Sequence, residues 1–228
     1  MKYSIIYADP AWSYSISSSV AGGRGQNTSY RCLRPVEIYD MPIETLSADD
    51  SVLFLWASYP MLPEALYCIK AWGFFYKTNA FTWIKGNRKA DSDFFGMGQW
   101  TRRNSEVCLL ATKGNPKAID HSISELVYSP IGKHSEKPPE IRDLIVKLCG
   151  DLPRIELFAR QRVAGWDVFG NEVEGSIRLP TPLAPDEATP CPVCGDDLFR
   201  CNACQEAHEN RLAGNANRWT PKQRSRAQ

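Results

Sequence analysis

The sequence predicts an α/β sandwich built on a mostly parallel sheet. Three observations carry that expectation. Short apolar runs rich in β-branched and aromatic residues recur at Tyr3–Ala8, Val52–Ala57, Ala80–Ile84, Glu106–Thr112 and Arg154–Ala159. Near-continuous runs of this kind read as strands buried on both faces. Helix-like segments, Pro60–Trp72 and Pro138–Leu148, fall between them, and alternating strands and helices build two-layered or three-layered α/β domains.

Each element follows from its residues in turn. Tyr3–Ala8 is apolar to its end and stops abruptly at Asp9-Pro10. Ser13–Leu33 is Ser/Gly-rich, carries Arg24 and Arg31, and has no regular pattern. Val52–Ala57 is the longest apolar run, far short of the roughly 18 residues of a membrane span, so no membrane association is expected. Gly86–Asn104 follows the third run and carries Arg88, Lys89, Arg102 and Arg103. Both long loops directly follow strands, so they overhang the edge where α/β sheets bind ligands. Pro138 and Pro139 suit a first helical turn, and Glu140 suits the positive end of the helix dipole. Ile141, Leu144, Ile145 and Leu148 then form one apolar face before Gly150 ends the helix.

Composition bounds the function. The chain has 228 residues, 43% hydrophobic and 23% charged, with a formal net charge of +1. That charge excludes a protein coating nucleic acid through bulk basicity, and any such affinity must come from local patches. Of eight cysteines, Cys32, Cys68, Cys108 and Cys149 stand singly in apolar surroundings, and four are bunched near the C-terminus. Buried free thiols beside one cluster, with no signal peptide at the N-terminus, indicate a reducing cytoplasm. Composition divides the chain into a main domain over 1–176, a proline-rich linker over 177–189, a cysteine knuckle over 190–208 and a basic tail over 209–228.

Asp9-Pro10-Ala11-Trp12 is the segment with the most chemistry. Methylating an exocyclic amine requires an acceptor for the amine hydrogens, so that the nitrogen lone pair leaves the ring π system. It also requires a rigid second acceptor and a flat clamp for the base. Asp9, the Pro10 carbonyl and Trp12 supply these types. The bland alternative is a proline turn with a core Trp.

The segment resembles the Asp-Pro-Pro-Trp signature of amino-methyltransferases. Leu53-Phe-Leu-Trp56, Gly98-Gln-Trp100-Thr-Arg102, Glu106-Val-Cys-Leu-Leu110 with Lys113-Gly114, Ser135-Glu-Lys137-Pro138, Glu156-Leu-Phe-Ala-Arg160, Gly165-Trp166 and Gly170-Asn171 continue the likeness in order. The family is that of the seventy-kilodalton subunit of the mRNA adenosine N6-methyltransferase, which includes compact bacterial and phage members acting on DNA. The resemblance implies a Rossmann-like methyltransferase domain using S-adenosyl-L-methionine. It also implies a permuted motif order, with the catalytic strand first and the cofactor strand last.

The same resemblance implies roles. Asp9 accepts the amine hydrogens and borders the donor's methionine end, and Trp12 stacks on a flipped adenine. Lys137 lies beside donor and target, Glu156 and Arg160 bracket the donor ribose, and Asn171 lies near the donor adenine. A strand-end carboxylate can take both ribose hydroxyls, as in dinucleotide folds. Ala11 stands where the family has a second proline, which loosens the turn. Glu172 replaces the family's Gln, and Arg162-Val163 replaces His-Asn; Arg162 can bind the methionine carboxylate as a fork or sit in solvent. The glycine-rich phosphate loop of NAD folds is absent, which argues against a dehydrogenase.

Cys191, Cys194, Cys201 and Cys204 form two Cys-x-x-Cys knuckles. Four thiolates at this spacing predict a closed, structural tetrahedral Zn²⁺ site. The expected function is S-adenosylmethionine-dependent adenine N6 methylation of nucleic acid, DNA more than RNA, in the cytoplasm of a bacterial or phage-infected cell. Two alternatives stay open: a nucleic-acid-binding pseudo-enzyme and an RNA adenosine N6-methyltransferase.

Overall fold

The computed structural model describes residues 1–12, 33–96, 100–132 and 136–179. Seven strands form one sheet: β1 (Tyr3–Ala8), β2 (Ser47–Ala57), β3 (Phe75–Gly86), β4 (Ser105–Lys113), β5 (Leu126–Pro130), β6 (Arg154–Leu157) and β7 (Asp167–Phe169). Their order across the sheet is β5-β3-β4-β2-β1-β6-β7. Pairing is parallel except on the two sides of β4, which runs against both β2 and β3. The sheet is therefore mixed, with β4 the one reversed strand. Consequently the amino end of β4 shares an edge with the carboxyl ends of its six companions.

Among the described residues four α-helices cover the faces, α1 (Pro35–Tyr39), α2 (Ile43–Leu46), α3 (Leu62–Ala71) and α4 (Glu140–Cys149), and a 3-10 turn over Tyr59–Met61 leads into α3. Alternation along β2 builds both layers. Leu53, Leu55 and Ala57 enter a cluster with Ile38 of α1, Ile43 of α2 and Ala65, Cys68 and Ile69 of α3. Val52, Phe54 and Trp56 enter the opposite cluster with Ile141 and Ile145 of α4. Fully burying one such side chain contributes about 1.5–3 kcal/mol, and a continuous apolar strand can collect this on both faces. α4 forms as expected: Pro139 precedes it, and Gly150 ends it at φ 92°, a conformation open to glycine. Cys68, Cys108 and Cys149 are free and buried.

The structure departs from the expectation in several places. β5, β7, α1 and α2 are additional elements, and β2 and β3 begin earlier than their apolar runs. β3 opens with Phe75–Thr78, exposed residues without apolar alternation. One compact unit spans Met1–Pro180, and Ile177 and Leu179 pack against its core. The residues described thus carry the core past the expected boundary at 176. No helix among the described residues is long and apolar enough to cross a membrane. Residues 13–32 and the four clustered cysteines lie outside the described residues, as does nearly all of the linker and tail.

Candidate active site

Strand phase decides which side chains meet at the catalytic edge. Ile5 and Tyr7 of β1 face α4, so Asp9, next in that phase, faces it too. Cys108 of β4 and Trp83 of β3 face α4 as well, which puts Glu106 and Lys85 on the same side. Lys137 enters this space from the segment leading into α4.

The four charges form a chain. Lys137 Nζ donates to both Asp9 oxygens at 2.7 Å. It also lies 3.3 Å from Glu106 Oε2, and Lys85 Nζ donates to Glu106 Oε1 at 2.6 Å. The Lys137 ammonium sits 5.4 Å from the centre of the Trp56 ring. Burial alone would strip the charge from Lys137, but Asp9 and Glu106 reverse that and hold it well above the usual lysine range. For Asp9, burial pushes the carboxyl up by more than Lys137 pulls it down. Burial also pushes Glu106 up, but Lys137 and Lys85 together hold it below its ordinary value. One ammonium shared by two carboxylates leaves Asp9 the stronger proton acceptor of the pair.

The rest of the motif is arranged around that carboxylate. Pro10 is buried, and its carbonyl accepts the Trp12 N–H at 2.9 Å, leaving a second lone pair. The Ala11 carbonyl accepts from Leu33 N at 3.0 Å, which ties the turn to the start of the next described segment. Trp12 is only 7% exposed, and its indole N–H donates to the Trp56 carbonyl at 3.2 Å. Most of its surface therefore lies in core packing.

The connection out of β1 leads to β2 on one side, and β6 later fills the other. Ligands of open α/β sheets bind beyond the strand ends at such a switch point. There the chain leaves β6 through Phe158 at φ 62°, a strained conformation for a non-glycine residue. Gly170 packs directly on the Ala159 backbone, where any Cβ would collide with the Ala159 carbonyl oxygen. That contact explains the glycine of Gly170-Asn171.

The residues expected around the donor are placed unequally. The Glu156 carboxylate takes a bidentate fork from Arg142 of α4, with both contacts at 2.7 Å and both side chains largely buried. Arg160 Nε lies 3.7 Å from Glu172 Oε1. Arg162 is exposed and donates to the Glu174 carbonyl at 2.7 Å, and Asn171 is exposed. The side-chain types at this edge of the sheet suit a cationic ligand bearing polar edges and a carboxylate: Asp9 for the cation, Asn171 for polar edges, Arg160 for an anion. Among the described residues no group of His, Cys, Asp and Glu could hold a metal.

Sequence reasoning missed Glu106, Lys85 and Arg142 as site residues. Glu106 stood in a motif, but its role depends on β4 running backwards, which puts the strand's beginning at the catalytic edge. Arg142 lay on the helix face expected to be polar, and nothing in its spacing announces Glu156.

Comparison with known proteins decides the family. The MT-A70 family profile matches residues 3–172. The chain belongs to the MT-A70 family. It is 32% identical over 205 residues to the Type II methyltransferase M.MunI of Mycoplasma sp, covering 82% of this chain and 84% of that one. It is 27% identical over 185 residues to the N(6)-adenosine-methyltransferase MT-A70-like protein of Drosophila melanogaster, spanning 28% of that relative's length. It is 26% identical over 191 residues to the N(6)-adenine-specific methyltransferase METTL4 of Homo sapiens, spanning 37% of it. The seven-stranded mixed α/β sheet of this MT-A70 protein is consistent with a Rossmann-like methyltransferase fold.

Proposed function

We propose that this MT-A70 protein transfers a methyl group from S-adenosyl-L-methionine to N6 of adenine in nucleic acid, with DNA preferred over RNA. The observation that carries the reading is Asp9, held at the end of β1 by both contacts to Lys137, with Glu106 competing for the same ammonium. The likeness to M.MunI, matched over most of both chains, supports the DNA preference.

The bound donor supplies an electrophilic methyl group. Asp9 accepts the amine hydrogens and stabilises charge developing on nitrogen, the Pro10 carbonyl is the second acceptor, and Ala11 keeps the turn. Trp12 borders the base, which must leave its duplex to reach this crevice. Lys137, Arg160, Arg162 and Asn171 surround the donor, and Glu156 acts on it through Arg142 and the start of α4. Cys191, Cys194, Cys201 and Cys204 hold a structural zinc that presents the basic tail to phosphates. The setting is the cytoplasm.

The test is direct. The full chain is incubated with labelled donor and mixed DNA and RNA, and the modified nucleoside is identified. The expected product is N6-methyldeoxyadenosine, abolished in Asp9→Ala with the fold intact. The likeness to the N6-methyladenosine RNA methyltransferase MTA1 of Pyricularia oryzae, 26% identical over 181 residues, supports RNA as the second reading, and label confined to ribonucleosides would select it. Donor binding without any transfer would leave only a binding module.

A further inference from the structure

The reversed strand β4 makes the β3–β4 connection return to the catalytic edge. The segment 87–104 is therefore rooted at both ends in the site: Lys85 and Glu106, one residue inside the strand ends that flank it, pair at 2.6 Å within the Asp9 charge chain. Asn104 fastens the base of the loop. Its amide donates to the Lys85 carbonyl at 2.9 Å and the Phe94 carbonyl at 2.6 Å, and its oxygen accepts from Lys85 N at 3.2 Å. An isolated bridge between Gly96 and Arg103 closes the upper part.

On this anchored base stands Trp100, whose side chain is 99% exposed. A tryptophan fully in water contributes nothing to the core, and its flat face is open to a ligand. Its surroundings indicate which. Arg88, Lys89, Arg102 and Arg103 are exposed on the same loop, against only Asp91 and Asp93. Arg102 lies 5.9 Å over the ring of Phe95, itself 51% exposed. Exposed aromatics among cations complement a polyanion that offers flat faces, which is the chemistry of stacked bases on a phosphate backbone. In a chain of net charge +1, this basic loop is a local feature.

We propose that Trp100 is a wedge that enters the base stack of a nucleic-acid duplex and takes the place of the extruded adenine. The proposal rests on the adenine-methylation reading above. Arg88, Lys89, Arg102 and Arg103 hold the flanking phosphates, and inserted side chains of this kind offset the unstacking of a base step. Trp100 acts only where a base must be driven out, so its effect is confined to duplex substrates.

The experiment compares wild type and Trp100→Ala, with labelled donor, on long duplex DNA and on the same DNA heat-denatured to single strands. Stacking of one base on an aromatic ring corresponds to roughly a 5- to 150-fold effect. Trp100→Ala is expected to lose that factor in kcat/KM on duplex and to match wild type on single strands and in donor binding. Trp100→Phe is expected to recover most of the duplex rate. An equal loss on both substrates, or no loss on either, overturns the wedge while leaving adenine methylation standing. A wild type inactive on both forms overturns the underlying reading as well. A wild-type dimer that Trp100→Ala converts to monomer by light scattering assigns the ring to a second copy of the chain and overturns the proposal.

Discussion

Replacing Lys137 by Met removes the ammonium shared by Asp9 and Glu106 and keeps much of the stem volume. Lys137 is 10% exposed and Asp9 26% at the side chain, so both partners are mainly out of water. Removing one partner of a buried ion pair costs about 3–5 kcal/mol, because the other is left uncompensated. Glu106 retains Lys85 at 2.6 Å, which favours the lower end for this site, about 3 kcal/mol. Losing the ammonium removes the main influence that pulls the Asp9 carboxyl down, so the variant's Asp9 rises further above its already raised position. The sign follows from which form carries charge. A raised carboxyl favours the protonated form in the folded protein. The stability deficit of Lys137→Met is therefore full above the folded-state value and fades as pH falls below it. The activity consequence is parallel, since only ionised Asp9 accepts amine hydrogens. Single-turnover methyl transfer between about pH 5 and 9 should show the acid limb displaced upward, with partial recovery at high pH. Urea denaturation at both ends of that range measures the deficit. An acid limb that stays in place, whatever the loss of rate, would refute the coupling of Asp9 to Lys137.

Three further outcomes are expected. Trp12→Ala should destabilise the domain by about 3–5 kcal/mol, because its ring is buried, and should also weaken target binding; denaturant midpoints and titration with oligonucleotides separate the two. Arg142→Met should cost about 3–5 kcal/mol and weaken donor binding, whereas Arg142→Met with Glu156→Met should recover most of the stability; calorimetric melts of the three variants check this. Deleting residues 190–228 should remove one zinc per chain and flatten the salt dependence of duplex binding by up to about 0.9 in log–log slope for each lost phosphate contact from Arg211, Arg218, Lys222, Arg224 and Arg226, leaving transfer at saturating substrate nearly unchanged.

Much of this architecture was legible because burial on two faces leaves a simple trace. β1, the core of β2 and the amphipathic α4 follow from apolar runs, Pro139 and Gly150. The missing elements are those whose residues answer to neighbours rather than to pattern. β7 has only Asp167–Phe169, and β5 lies at the sheet margin with Leu126 and Tyr128 exposed, so neither carries an apolar signature. α1 and α2 are single turns too short for a hydrophobic period. At the site, Asp9 was legible from its motif and Lys137 through the resemblance, but their contact spans most of the domain's sequence. Strand direction made the difference for Glu106, and direction leaves no mark on composition.

The lone reversed strand also has a consequence for how such proteins diversify. A hairpin-like return lets the segment between β3 and β4 lengthen, shorten or be exchanged while its two stems stay clamped by their ladder and by Asn104. Asp9, which we assign to the amine, follows a different strand, β1, two places from β4 in the sheet. Variation in what is read can thus accumulate on one appendage without disturbing the transfer chemistry. Grafting the 87–104 segment between relatives offers a route to exchanging sequence preference as a cassette.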